Sequence, residues 1–356
     1  MPPEKKIAIV TPTFNGIKDI PEFLSSLQAT TDLSIVQLVI VDNHSQDKTV
    51  QYIQQRLPSA HIIQNTENKG FVACNQGMQY ALDNGAEYVY LANQDLMFGE
   101  QWYQPLIHAM SMDKTIAAAQ SKMMMHPDRD TINSCGNALH FLGFGYMLGS
   151  GKKDTEYPCN RITDVAYCSG AAVMYSTKAL AHVGMFDESF FMYHEDSDLC
   201  WRFLLSGYRC VVVPESRVFH RYEFSRSIQK FYFIERNRIS ILLKHYRLCT
   251  LILLFPIFLF WECGMLCYSM LAGICFKKSL GFKEKIAAYA YFFSVKNMKA
   301  IMRERKKVQA LRTISDKEAT KLFTAKIIFQ DIENPLILYI ANPISTAYWR
   351  AVRFFV

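Results

Sequence analysis

Residues 6–16 read KIAIVTPTFNG, a short apolar run that ends abruptly in turn-forming residues. Ile, Val and Thr favour an extended backbone, and Asn-Gly breaks it. The next residues, IPEFLSSLQA (20–29), carry Phe23, Leu24 and Leu27 at helical spacing. The pattern then repeats. SIVQLVIVDNHS (34–45) is a second apolar strand that stops at polar residues, HIIQN (61–65) a third, and YVYLANQD (88–95) a fourth. Between the last two, residues 70–85 read as a helix closed by Gly85. Strands alternating with helices predict a mostly parallel sheet with crossover connections, an α/β fold. The polar clusters 11–15, 42–45 and 93–95 fall where strands end, the place where open α/β sheets bind ligands.

Further along, the pattern loosens between 100 and 163, and the glycine-rich stretch 136–153 reads as a mobile loop region. VAYCSGAAVMYS (165–176) is strand-like again, TKALAHVG (177–184) a short helix, and YRCVVVPESRVFH (208–220) a last strand descending to His220. Neither GxGxxG nor GxxxxGK[ST] occurs, so a bound nucleotide is held without a dinucleotide fingerprint or a P-loop.

The chain has 356 residues and a formal charge of +7, unevenly placed. Residues 277–356 hold 16 Lys and Arg against 6 Asp and Glu, whereas 1–276 are slightly acidic. A basic tail beside a long apolar segment points to an anionic membrane surface as partner rather than to a nucleic acid. Ten cysteines are scattered without a CxxC pair, which reads as reduced, buried thiols in a cytosolic setting. The start has no n-region and h-region, so no secretory signal is expected.

Chemistry concentrates in FFMYHEDSDLCWRF (190–203). Glu195, Asp196 and Asp198 fall at the start of a helix ended by Gly207. One reading is an acidic first turn that complements the helix dipole, with Asp198 and Arg202 as a surface pair. The other makes Asp196 a general base, kept ionised by the helix terminus and opposed by Glu195. Phe190, Phe191, Tyr193 and Trp201 would then wall a cleft, with Tyr193 and Trp201 on its acceptor side. Asp95, the one charge in LANQD, suits a divalent metal bridging phosphates. Asp42 could accept from a nucleobase N–H, and Asp47 could cap a helix. His220 gains weight if a metal sits at Asp95.

Taken in order, TPTFN, VDNHSQD, ENKGFVACNQG, LANQD, GMFDESFFMYHEDSDLCWR and VFH resemble family 2 glycosyltransferases of the glycosyltransferase A fold, in particular bacterial rhamnosyltransferase-like members. The resemblance covers roughly residues 6–246 and includes FIERNRISIL (233–242). It implies a Rossmann-like sheet flanked by helices and an inverting, metal-dependent transfer. The donor would be a nucleotide-diphosphate sugar, dTDP- or UDP-linked. The acceptor would be a hydroxyl on a saccharide or lipid-linked saccharide in cell-surface polysaccharide synthesis. It implies that Thr11 and Asp42 contact the donor nucleotide, with Pro12, Thr13, Asn43, Gly70, Asn75 and Asn93 on the donor side. It further implies that Asp95 and His220 hold Mg²⁺ or Mn²⁺, and that Asp196 is the base with Glu195 beside it. The metal motif departs from the family pattern, with Asn93 in place of its first acid. Rival readings are a sugar nucleotidyltransferase, which lacks its basic glycine-rich loop here, and a non-catalytic glycan-binding relative, which would have lost Asp196. A processive synthase would need several long spans.

Three regions are expected: a catalytic domain (1–246), a hydrophobic membrane-associated segment (247–276) and a basic helical tail (277–356). The apolar segment 248–276 carries one charge, Glu262, and basic flanks. Pro256 and the neighbourhood of Glu262 and Gly264 predict a break near its middle. That makes a membrane-dipping hairpin or two in-plane helices on the cytoplasmic face the favoured form, ahead of a single span.

Overall fold

A computed structural model describes residues 6–222, 230–276, 281–328 and 335–356. The chain divides into two units. One comprises Met1–Asn137, Met147–Leu204 and Tyr208–Tyr222; the other Ala138–Tyr146, Leu205–Gly207 and Glu223–Val356.

The first unit is built on a ten-stranded mixed sheet. Its opening run forms β1 (Ile7–Thr13), α1 (Ile20–Thr30), β2 (Val36–Asp42), α2 (Thr49–Arg56), β3 (His61–Gln64), α3 (Cys74–Asp83) and β4 (Tyr88–Ala92). Strands β1, β2, β3 and β4 run parallel, in the spatial order β4-β1-β2-β3. Then follow β5 (Leu96–Phe98), α4 (Gln104–Met112), β6 (Ile116–Met125) and β7 (Ile132–Ser134). β8 (Asn137–Leu139) and β9 (Gly145–Met147) pair as a separate two-stranded ribbon. The unit closes with β10 (Thr163–Asp164), β11 (Ala172–Ser176), α5 (Thr177–Val183), α6 (Glu195–Leu205) and β12 (Arg209–His220). β11 lies antiparallel between β4 and β6, and β12 runs parallel to β6.

The pattern that loosens between 100 and 163 conceals regular structure: β6 is a ten-residue strand in the middle of the sheet, and the stretch 136–153 read as a loop region contains β8 and β9. Its sequence, IAAAQSKMMM, has no alternation because almost all of it is buried on both faces. One face of the sheet is packed by Phe23, Leu24 and Leu27 of α1 together with Ile9, Ile40, Tyr90 and Trp102.

The second unit is helical: α7 (Phe231–His245), α8 (Leu248–Phe276), α9 (Phe282–Phe293), α10 (Val295–Ala310), α11 (Asp316–Ala319) and α12 (Asn342–Val352). α7 belongs to the compact unit whose last stretch begins at Glu223, together with the helices that follow it. Glu235 and Arg238 of α7, Glu262 of α8 and Lys285 of α9 form a closed set of buried ion pairs. Arg238 lies 2.9 Å from Glu235 and 2.6 Å from Glu262, and Lys285 lies 2.9 Å from Glu262 and also pairs with Glu235.

That set explains a correction. No break occurs near Pro256 or Glu262, and α8 runs unbroken for 29 residues. Pro256 removes one backbone donor, which neighbouring packing tolerates. Glu262 is not a stray charge but the helix's anchor, accepting from Arg238 and from the Tyr289 hydroxyl. Thr250, Leu254, Ile257 and Trp261 are buried along the same side, where Trp261 donates to Ser345 at 2.7 Å. Leu248, Ile252, Phe255 and Leu259 on α8 are exposed. Lys277 and Lys278 of the downstream basic flank lie outside the described residues. Six of the cysteines are buried as expected, but Cys249, Cys263 and Cys267 on α8 are exposed.

Candidate active site

Two clusters form at the carboxyl ends of the parallel strands, where the sequence placed them. At the end of β1 and β2, the Thr13 hydroxyl donates to Asp42 at 2.9 Å, and Ser45 donates to the same carboxylate through its N–H (3.0 Å) and hydroxyl (2.5 Å). Asp42 is thus fixed in orientation and nearly buried. Asn43 donates to Gly70 O at 2.9 Å and accepts from Asn65 and from Lys69 N. Asp47 accepts from Thr49 N and Ile17 N, tying the first turn of α2 to the β1 loop. Thr11 is wholly buried, so its side chain faces no ligand, and Pro12 is half-buried. Asn93 is half-buried beside Gln94, whose amide oxygen accepts from Phe14 N at 3.0 Å.

Asp95 and His220 come together although 125 positions separate them. His220 Nε2 lies 3.2 Å from Asp95 Oδ1, because β5 and the end of β12 pair side by side. The other imidazole nitrogen, Nδ1, lies 3.0 Å from Asn133 Oδ1 on β7. An amide oxygen only accepts, so Nδ1 donates to Asn133, and Nε2 is the ring nitrogen directed at the carboxylate. A carboxylate oxygen and a ring nitrogen converging in this way fit a divalent cation. They supply two protein ligands, and among the described residues no group of three or more His, Cys, Asp or Glu side chains could hold a metal. The remaining positions would fall to donor phosphates and water, as is common for Mg²⁺.

The third cluster surrounds the start of α6. The segment leading into it is stapled to the rest of the unit at two points. Asn75 of α3 makes paired hydrogen bonds with the backbone of Phe186 (2.9 and 3.0 Å), and Phe71 N donates to Phe191 O at 2.7 Å. Gly70 and Asn75 thus help position this segment. A Cβ on Gly70 would come within 2.2 Å of Phe191 O, and its φ is +73°. Phe191, Tyr193 and His194 all adopt positive φ (63°, 65° and 67°), strained for non-glycine residues. The staples hold this strain immediately ahead of Glu195 and Asp196.

Asp196 accepts from Gly170 N at 3.2 Å and from Ser197 N at 2.7 Å, while keeping partial exposure. Burial, reinforced by the neighbouring Cys200, pushes its carboxyl up to about 7 against those two hydrogen bonds. Burial, followed by the charge of Asp196, raises the Glu195 carboxyl far above its usual range, so Glu195 is neutral beside an ionisable Asp196. The low-dielectric surround, not the helix terminus, thus dominates Asp196. Asp198 and Arg202 do pair, at 3.0 Å, but they are buried rather than on the surface. Arg202 also donates to the carbonyls of Val183, Gly184 and Met185 and so braces the segment leading into α6. Trp201 has no exposed surface and is a core residue, which removes it from the acceptor side; Tyr193 is half-buried.

Three residues escaped sequence reasoning. Asn133 orients His220, Gly170 holds the base, and Gln120 accepts from Ser169 N at 2.8 Å, one residue before Gly170. All lie in or beside strands with no alternation to reveal them.

The geometry can be set beside known proteins. Residues 8–184 match the model described as Glycosyl transferase family 2, and residues 157–295 the model described as Glycosyl transferase family group 2. N-acetylglucosaminyl-diphospho-decaprenol L-rhamnosyltransferase of Mycobacterium tuberculosis is 28% identical over 233 residues, 60% of this chain and 75% of that protein. The dTDP-rhamnosyl transferase RfbF of Shigella flexneri is 24% identical over 188 residues, 51% of this chain and 59% of that protein. A crystal structure of GalNAc-T7 with UDP, GalNAc and Mn²⁺ superposes with a TM-score of 0.55 at 15% identity, over 68% of this chain and 48% of that one.

Proposed function

The chain belongs to glycosyltransferase family 2, and on that premise we propose that it moves one sugar, with inversion, from a dTDP- or UDP-linked donor to an acceptor hydroxyl. The observation that carries the reading is Asp196: a half-buried carboxylate, pushed up to about 7, anchored by two backbone N–H groups and backed by Glu195, whose own carboxyl is raised by burial. A base with its proton affinity near the working pH removes a hydroxyl proton as the oxygen attacks. Asp42, locked by Thr13 and Ser45, offers a fixed acceptor to the N–H groups of the donor's base. Asp95 and His220 would hold Mg²⁺ or Mn²⁺, which when bound neutralises charge on the departing diphosphate. Asn133 keeps the His220 ring turned so that Nε2 faces that position.

The acceptor we favour is a lipid-linked saccharide at the cytoplasmic face of the membrane. Its support comes from the decaprenol-linked substrate in the relative's name and from the helical unit. The most apolar stretch of α8, Leu248–Met270, is long enough to cross a bilayer, yet only 28% of it is buried. A spanning α8 would carry Glu262, with Arg238 and Lys285 on it, to near the bilayer centre, at heavy cost. An in-plane helix avoids this, sinking Ile252, Phe255 and Leu259 into the interface while the ion pairs stay on the protein side. The basic tail adds attraction to anionic lipid.

The test is a donor screen with purified protein. Nucleoside diphosphate release is read across dTDP-, UDP- and GDP-sugars, with Mg²⁺, Mn²⁺ or EDTA and a prenyl-diphosphate-linked saccharide as acceptor. Acceptor-dependent release from dTDP- or UDP-sugar is expected. No release from any donor would defeat the proposal.

A further inference from the structure

A cavity of about 580 Å³ opens in the sheet unit, where Lys122 of β6 and Pro214, Glu215 and Arg217 of β12 face the segment from Asp154 to Asn160. We propose that it is a subsite for an uncharged sugar ring of the acceptor, an assignment that rests on the glycosyl-transfer reading above. Its volume lies within the range of roughly 300–1,000 Å³ usual for small-molecule sites.

The cavity's place follows from β6. Gln120 and Lys122 are two residues apart on one strand, so their side chains share a sheet face about 6.6 Å apart. Gln120 receives Ser169 N, and the adjacent Gly170 N holds Asp196. Lys122, which lines the cavity, is therefore two strand positions from Gln120, which supports the loop that carries Gly170.

The ligand class follows from the charges. Lys122 and Arg217 both pair with Asp154, so the two cations are consumed within the wall. Glu156 and Glu215 remain, and both are exposed at the rim. Two cations against three carboxylates make this a poor seat for a diphosphate. Side-chain acceptors around a half-buried tyrosine ring suit a hydroxyl-rich neutral ring, whose O–H groups donate to carboxylates and whose C–H face stacks on an aromatic. Tyr157 supplies that ring. It is packed against Gly149, where a Cβ would approach it to 3.0 Å, so the ring is held in place. The floor is preformed too: Lys122 is 2% exposed and also donates to Cys159 O at 3.2 Å.

The experiment uses the full chain with Tyr157→Ala and Glu215→Gln, neither of which touches Asp196, Asp95 or Asp42. Three quantities are measured: the acceptor KM, the donor KM, and donor hydrolysis without acceptor. Saturation-transfer NMR with methyl pyranosides reports binding directly, and thermal unfolding verifies the fold. We expect an acceptor KM raised about tenfold, the scale of one lost hydrogen bond. Donor KM and donor hydrolysis should stay unchanged, and the methyl pyranoside signal should be lost. Folded variants with unchanged acceptor KM would overturn the assignment, as would competition by inorganic pyrophosphate in place of methyl pyranosides. If the wild type transfers no sugar at all, the enzymatic reading fails. The NMR comparison of wild type and variants still decides whether the cavity binds sugar rings.

Discussion

The two units solve opposite solvation problems. In the sheet unit, apolar side chains are inside and the candidate carboxylates sit at strand or helix ends, Asp42 and Asp196 steadied by neighbouring donors and Asp95 set beside His220. In the helical unit the arrangement is turned inside out. Glu235, Arg238, Glu262 and Lys285 are buried against one another, while Leu248, Ile252, Phe255, Phe293 and Phe354 are exposed. Large exposed apolar surface beside buried charge is unfavourable in water and favourable against lipid. On the reading proposed above, the sheet unit serves an aqueous, polar ligand and the helical unit a lipid surface.

Four changes would break or sharpen this contrast. The largest effect is expected at Asp196: Asp196→Asn should lower turnover by about 10²–10⁴-fold, the range for loss of general-base catalysis. Donor affinity measured by calorimetry should be retained, and near-normal turnover would remove Asp196 from that role. Next, Arg238→Met leaves two buried acids with Lys285 alone. Removing one partner of a buried pair costs about 3–5 kcal/mol. Denaturant unfolding followed by Trp261 and Trp349 fluorescence should show the helical unit melting early, and an unchanged midpoint would contradict a structural role for the ion set.

A third change is in pH. The base must be ionised, so kcat/KM should rise with pH through about 7. Stability should move the other way. The Asp196 carboxyl is raised in the fold from its unfolded value of about 4, so the native state binds the extra proton between roughly pH 4 and 7 and loses stability as pH rises across that window. Glu195 acts in the same direction. Asp196→Asn should flatten part of that slope, and equal slopes in both proteins would refute the assignment. The smallest effect is expected from Ile252→Ser with Phe255→Ser. These exposed residues should leave sugar transfer to a soluble acceptor unchanged while weakening flotation with anionic vesicles severalfold. Unaltered flotation would place the membrane contact elsewhere.

Much of this was legible before any coordinates. Strands β1, β2 and β4 declared themselves because an apolar run ends where a polar turn begins, and those ends gave Asp42 and Asp95. The candidate base was singled out because two adjacent carboxylates open a helix inside an aromatic run, a pattern that an acidic first turn complementing the helix dipole would also produce. β6 was not, since a strand covered on both faces has no period to read, and Gln120 and Lys122 were lost with it. Asn75 and Gly70 looked like ligand contacts because sequence shows residue type but not the direction a side chain takes. Trp201 misled for the same reason.

By itself the sequence determined the alternation of strands and helices through β4, the chemical character of those strand ends, and the separation of a polar body from an apolar, basic tail. These follow from local propensity and pattern, which act over a few residues. Only the tertiary structure decided that His220 meets Asp95, that Asp196 titrates near 7, and that α8 runs unbroken because Glu262 finds Arg238 and Lys285. Each of these depends on partners distant in sequence and on the dielectric they create together, and neither quantity is written in any single stretch of the chain.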